Sequence, residues 1–112
     1  MKKSSDVYLL NILDAIKAIK SFISNSTETE FKESELLIAG VSYKMQIIGE
    51  AASHLPKTIQ EKIDSPWGKI IGMRHVLVHG YDDVEIDILW VTVQNDLKIL
   101  ERQIKKYLKS KA

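Results

Sequence analysis

The chain has 112 residues, 45% of them apolar, enough for one domain with one core. Charged residues make up 28% and the net charge is +1, which excludes a disordered chain and a strongly basic nucleic-acid-coating protein while leaving room for a local basic patch. There is no cysteine, so disulfides, thiolate zinc sites, iron–sulfur clusters and cysteine nucleophiles are excluded, and a reducing compartment is expected.

From Met1 to Ser24 a lysine pair precedes apolar residues, as in a signal peptide, but Asp6, Asn11, Asp14, Lys17 and Lys20 interrupt the apolar run. No other stretch approaches the ~20 apolar residues that cross a bilayer, so no membrane contact and a cytoplasmic location are expected. Instead Leu9, Ile12, Leu13, Ile16, Ile19 and Ile23 recur at steps of three and four, the stripe of a first helix starting near Asp6. Asn25-Ser26-Thr27 reads as a loop, with Thr27 or Thr29 as the next N-cap. A second helix is expected from about Glu33 to Leu55, ending at Pro56, and a short one over Thr58 to Ile63.

Ser65-Pro66-Trp67 reads as a helix start, with Ser65 as N-cap and Pro66 in the first position, where its missing N–H costs nothing. This third helix should end near His79-Gly80. An acidic loop from Asp82 to Asp87 leads into a last helix. There Ile86, Trp90, Val93, Leu97, Leu100, Ile104 and Leu108 form the stripe, and lysines gather at the negative end of the dipole. The expectation is one all-α domain over residues 1–112, an antiparallel bundle of four main helices with a short extra helix.

Chemistry-bearing residues concentrate at the end of the third helix, in Arg74, His75, His79 and Tyr81. His75 and His79 share a helical face as metal-binding pairs do, yet Val76 stands where a metalloprotease helix places its Glu, so no metal site is expected. Arg74 and His79 are separated by about 140° on an ideal helix, so a site using both needs a distorted last turn or a second copy of the chain, paired through the motif-bearing third helices. By itself, an Arg–His pair at a helix end also reads as cation–dipole complementation.

Arg74-x4-His79-x-Tyr81 resembles the R-x4-H-x-Y signature of HepT-like ribonuclease toxins, in the HEPN superfamily of small α-helical domains. The resemblance extends through Gly49-Glu50-Ala51-Ala52, Pro66-Trp67, Gly72-Met73 and Trp90. It departs at His75, where these families usually carry a polar residue such as Asn, and at Ala39-Gly40, where Asp-Ala is common. The second departure is expected to affect packing.

The resemblance implies a dimeric, metal-independent RNA endonuclease without a cofactor, the toxin of a bacterial or archaeal toxin–antitoxin pair, with tRNA or mRNA as candidate substrates. Arg74 and His79 would be catalytic, with His75 and Glu50 lining the cleft or supporting it. A minimal nucleotidyltransferase antitoxin of the MntA type would be the partner, transferring AMP to Tyr81. The alternative is a non-catalytic substrate-binding or scaffold subunit of a nucleotidyltransferase.

Simpler roles remain open for several residues. Glu50 either pairs with Arg74 or is solvated. Gly49 implies close approach of another helix. His54 reads as a solvated helix-end residue, and Trp67 and Trp90 as core or interface.

Overall fold

The structure, a computed structural model, describes residues 4–76 and 83–111, with 75–76 and 83–84 described by their backbone alone. All regular structure among them is helical: α1 (Ser5–Ile23), α2 (Glu28–Glu33), α3 (Glu35–Ser53), α4 (Lys57–Lys62), α5 (Trp67–Val76), α6 (Asp83–Val91), a π-helical turn (Thr92–Asp96) and α7 (Leu97–Lys111). The expected all-α bundle is present, and none of these helices is long and apolar enough to cross a membrane.

The stripe read along the first helix is the stripe that packs. Leu9, Ile12, Ile16 and Ile19 are buried on α1, meeting Val41, Met45 and Ile48 of α3 in the common core. The two helices run antiparallel. Tyr8, near the start of α1, stacks on His54, the C-cap of α3, while Phe22 at the other end lies over Gly40. A β-carbon on Gly40 would sit 3.3 Å from the Phe22 ring, so the glycine in the Ala39-Gly40 pair serves packing, as expected. α7 also runs antiparallel to α1: Lys20 pairs with Glu101, and Lys111 with Asp6 at 2.8 Å.

Four local expectations need correction. The loop before α3 contains a helix of its own, α2, started by a capping box: Thr27 Oγ1 accepts from Glu30 N at 3.1 Å, and Glu30 Oε1 accepts from Thr27 N at 2.9 Å. Ser34 then breaks the path with extended backbone, and its hydroxyl accepts from Leu37 N at 3.1 Å, so α3 starts two residues later than Glu33. At the third helix, Pro66 is the half-in residue, its carbonyl accepting from Ile70 N at 3.0 Å, and among the described residues the Ser65 hydroxyl has no hydrogen-bond partner. Finally, most of the expected acidic loop is helical, because α6 begins at Asp83.

The last helix is also interrupted. Leu89, Val93 and Leu97 are buried at two successive steps of four, which overshoot two α-helical turns by about 80°. The wider turn at Thr92–Asp96 absorbs that excess and keeps Leu100 and Ile104 facing the core. Leu89, not Trp90, is the fully buried residue of α6; Trp90 is half-buried, its ring 5.1 Å from that of Phe31 on α2.

Candidate active site

Trp67 fixes where α5 begins. Its indole is 8% exposed, and Nε1 donates to Gln60 O at 3.0 Å and Ile63 O at 2.9 Å, closing the carbonyl ends of α4. Trp67 is thus a core residue that ties the α4–α5 corner. Ile70 and Met73 are buried one and nearly two turns further along α5, which leaves Arg74 at the edge of the α3–α5 contact.

At that edge Gly49 lets the arginine stem lie directly on α3. A β-carbon there would fall 2.6 Å from Arg74 Cγ and 3.3 Å from the Ile70 carbonyl oxygen. This is the close approach that a glycine in the middle of a helix implies. One residue on, Glu50 Oε2 accepts from Arg74 Nη1 at 2.8 Å, and Ser53 Oγ accepts from the same amine at 3.3 Å. Ser53 in turn donates its hydroxyl proton to the Glu50 carbonyl at 2.7 Å, so its lone pair is directed to the arginine. Among the described residues, no hydrogen bond engages Arg74 Nε or Nη2.

The open reading of Glu50 therefore resolves to the ion pair. The carboxylate is held below its ordinary range first by the Arg74 hydrogen bond and then by the one from His54. His54 is exposed at the end of α3, as expected, but it also has partners. Its Nε2 lies 3.1 Å from Glu50 Oε1, and its ring stacks on Tyr8 with centroids 5.1 Å apart and planes 14° from parallel. The four-residue spacing of Glu50 and His54 on one helical face was a readable signal for this contact. Ser53 and Tyr8 carried no such signal, because their roles depend on how three helices cross.

α1, α3 and α5 thus converge on one guanidinium. The other residues of the Arg74-x4-His79-x-Tyr81 motif, His79 and Tyr81, lie outside the described residues, as does the side chain of His75. Among the described residues, no group of three His, Asp or Glu side chains is arranged to hold a metal ion. A separate groove of about 310 Å³ lies between the C-terminal half of α1 and the α6–π–α7 segment, lined by Ile16, Ile23, Trp90 and Leu97 with Lys20 and Lys98. It adjoins the end of α1 away from Tyr8 and brings together no acid–base pair with an anion-binding arginine.

A small helical domain with a buttressed arginine where α3 and α5 meet is the class these features define. The chain belongs to the ribonuclease HepT-like family, whose model matches residues 12–107. It is 33% identical over 109 residues to a protein of Methanocaldococcus jannaschii named for a gamma-glutamylcyclotransferase and a candidate RNase, covering 96% of this chain and 49% of that one. A candidate RNase of Caldanaerobacter subterraneus is 33% identical over 107 residues, covering 95% of this chain and 96% of its own. A protein of Thermococcus cleftensis described as "Probable ribonuclease HepT" is 31% identical over 110 residues, covering 97% and 100%. This chain therefore spans about half of the first relative and essentially all of the other two. No solved structure gives a significant match.

Proposed function

We propose that the protein is a metal-independent RNA endonuclease in which Arg74 and His79 carry the chemistry. The observation that carries this reading is the Arg74 guanidinium, held through Nη1 by Glu50 and Ser53, in a chain of the HepT-like family. In the proposed reaction the ribose 2′-oxygen attacks the adjacent phosphorus as its proton passes to a base. The P–O5′ bond breaks as an acid protonates the leaving 5′-oxygen, and a 2′,3′-cyclic phosphate remains. Histidine titrates near neutrality and can serve in either role. Arg74 offers hydrogen bonds and positive charge to the phosphorane as its negative charge grows.

A homodimer would supply two copies of His79, one for each proton transfer. The exposed apolar surface of α3 supports such pairing: Leu36 is 82% exposed and Tyr43 61%, on the helical face that continues to Ile47 and Glu50. The final helix gives no such support, since Leu97, Leu100 and Ile104 are covered within a single chain.

The biological role proposed is that of the toxin in a pair with an MntA-type minimal nucleotidyltransferase. The partner would transfer AMP from ATP to the Tyr81 phenol, forming a phenolic phosphodiester and releasing pyrophosphate. The added phosphate would repel RNA from the cleft.

RNA cleavage should persist in EDTA and leave a 2′,3′-cyclic phosphate. Arg74→Ala and His79→Ala should each abolish it with unchanged helical circular dichroism. Full activity in either variant, or strict dependence on added metal, overturns the mechanism. RNA or nucleotide binding without any cleavage would instead mark a binding subunit. For regulation, mass spectrometry of the co-expressed pair should place one or more AMP additions on the peptide containing Tyr81. If Tyr81→Phe is inhibited as well as the parent and no adduct forms, the partner acts by covering the cleft.

A further inference from the structure

We infer that His54 is a positioning residue for Arg74, acting through the Glu50 carboxylate, which it restricts to a single contact so that the second guanidinium amine stays available to a phosphate. The inference rests on the ribonuclease reading for its consequence, but not for its geometry.

Arginine and carboxylate ordinarily meet as a fork, two amines on two oxygens. Here the contact is single. Arg74 Nη1 takes Glu50 Oε2 at 2.8 Å, while Oε1 lies 3.1 Å from His54 Nε2, which donates to it. His54 is itself held from two sides: its backbone N–H donates to the Ala51 carbonyl at 3.1 Å, and its ring lies against Tyr8 of α1. The arginine stem lies against Gly49, which brings it close to α3. The guanidinium end can still turn. With His54 removed, Oε1 becomes free to accept from the second amine, and the resulting fork would occupy the amine otherwise left for a phosphate. Pairing with Glu50 would then compete with RNA instead of orienting Arg74 for it.

The test is a double-mutant cycle with two readouts. Cleavage of RNA should show KM raised and kcat/KM lowered roughly fivefold in His54→Ala, as expected for coupled polar neighbours. His54→Gln, which keeps an N–H donor four residues from Glu50, should recover most of the loss. In a Glu50→Ala background, His54→Ala should change nothing further, because no carboxylate remains to restrain. The second readout needs no RNA: nitrogen-15 NMR of the Arg74 side chain should show slower guanidinium rotation in His54→Ala than in the parent. Tyr8→Leu, which removes the ring beside His54, should move both readouts in the same direction by less.

Unchanged Arg74 signals in a folded His54→Ala protein overturn the inference, as do additive effects of the His54 and Glu50 substitutions. A parent that cleaves no RNA while its Arg74 signals respond as described overturns the ribonuclease reading alone and supports the positioning role.

Discussion

At the scale of single residues, Gly49 is the position where the smallest change should have the largest effect. Alanine gains ~1 kcal/mol over glycine in a helix interior, but overpacking costs ~1–3 kcal/mol. The second term should win, because one obstacle is the Ile70 backbone carbonyl, and the other is the stem of Arg74 and not its flexible tip. Gly49→Ala should therefore lower the thermal midpoint and, by displacing Arg74, lower RNA cleavage by more than the stability loss explains. Glu50 yields a prediction with a definite sign. Its carboxyl is held below the ordinary range in the folded chain, so its contribution is complete above the unfolded pKa and disappears as pH falls through the folded one. The urea midpoint of Glu50→Gln should fall below that of the parent near neutrality, and the gap should close as pH falls below the ordinary glutamate range. Arg74 was legible in the sequence through its motif, and Gly49 through its cost in mid-helix. The Glu50 partner was legible only as one of two open readings, because 24 residues separate the pair and only the α3–α5 crossing joins them.

At the scale of elements, short helices were harder to read than long ones, for a physical reason. α1 and α3 extend over 19 residues each, so their apolar spacing repeats enough to define a face. α2 has six residues and one buried side chain, Phe31, which shows no period at all. Its signal lies in the cap instead, where Thr27 and Glu30 satisfy each other's backbone donors. Thr27→Ala should cost about 1 kcal/mol in chemical denaturation, within the usual range for a lost N-cap. A comparable argument applies to the α4–α5 corner. Trp67→Phe preserves most of the apolar volume but leaves the Gln60 and Ile63 carbonyls without the indole donor, which should cost ~1–3 kcal/mol. A midpoint equal to that of the parent would show that neither carbonyl depends on it.

At the scale of the whole molecule, two long-range ion pairs lie at opposite ends of the α1–α7 contact, Lys20 with Glu101 and Asp6 with Lys111. The Asp6–Lys111 pair is exposed enough to fix register more than stability, whereas the Glu101 side chain is only 16% exposed. The proposed homodimer is tested here. Sedimentation at micromolar concentration should give twice the 12.8 kDa of one chain, and Leu36→Asp together with Tyr43→Asp should shift it to the monomer without loss of helix. A parent that sediments as a monomer would remove the two-histidine mechanism with it. The bundle itself was legible from periodicity alone, whereas the exposure of Leu36 and Tyr43 depends on how the helices pack. The stripe of α7 is enclosed by α1 and the rest of the core within one chain.

The π-helical turn at Thr92–Asp96 makes this chain tolerant of one small deletion in a place where its last helix looks continuous. Removing either Gln94 or Asn95 would shorten the step from Leu89 to Leu97 to seven residues, within about 20° of two α-helical turns. A regular α-helix would then replace the wider turn. Leu97, Leu100 and Ile104 would keep facing the core, and Lys111 would keep its reach to Asp6. Loss of a single codon in this turn should be tolerated where the same loss in the middle of α7 is not, so length variation among functional homologues should gather here.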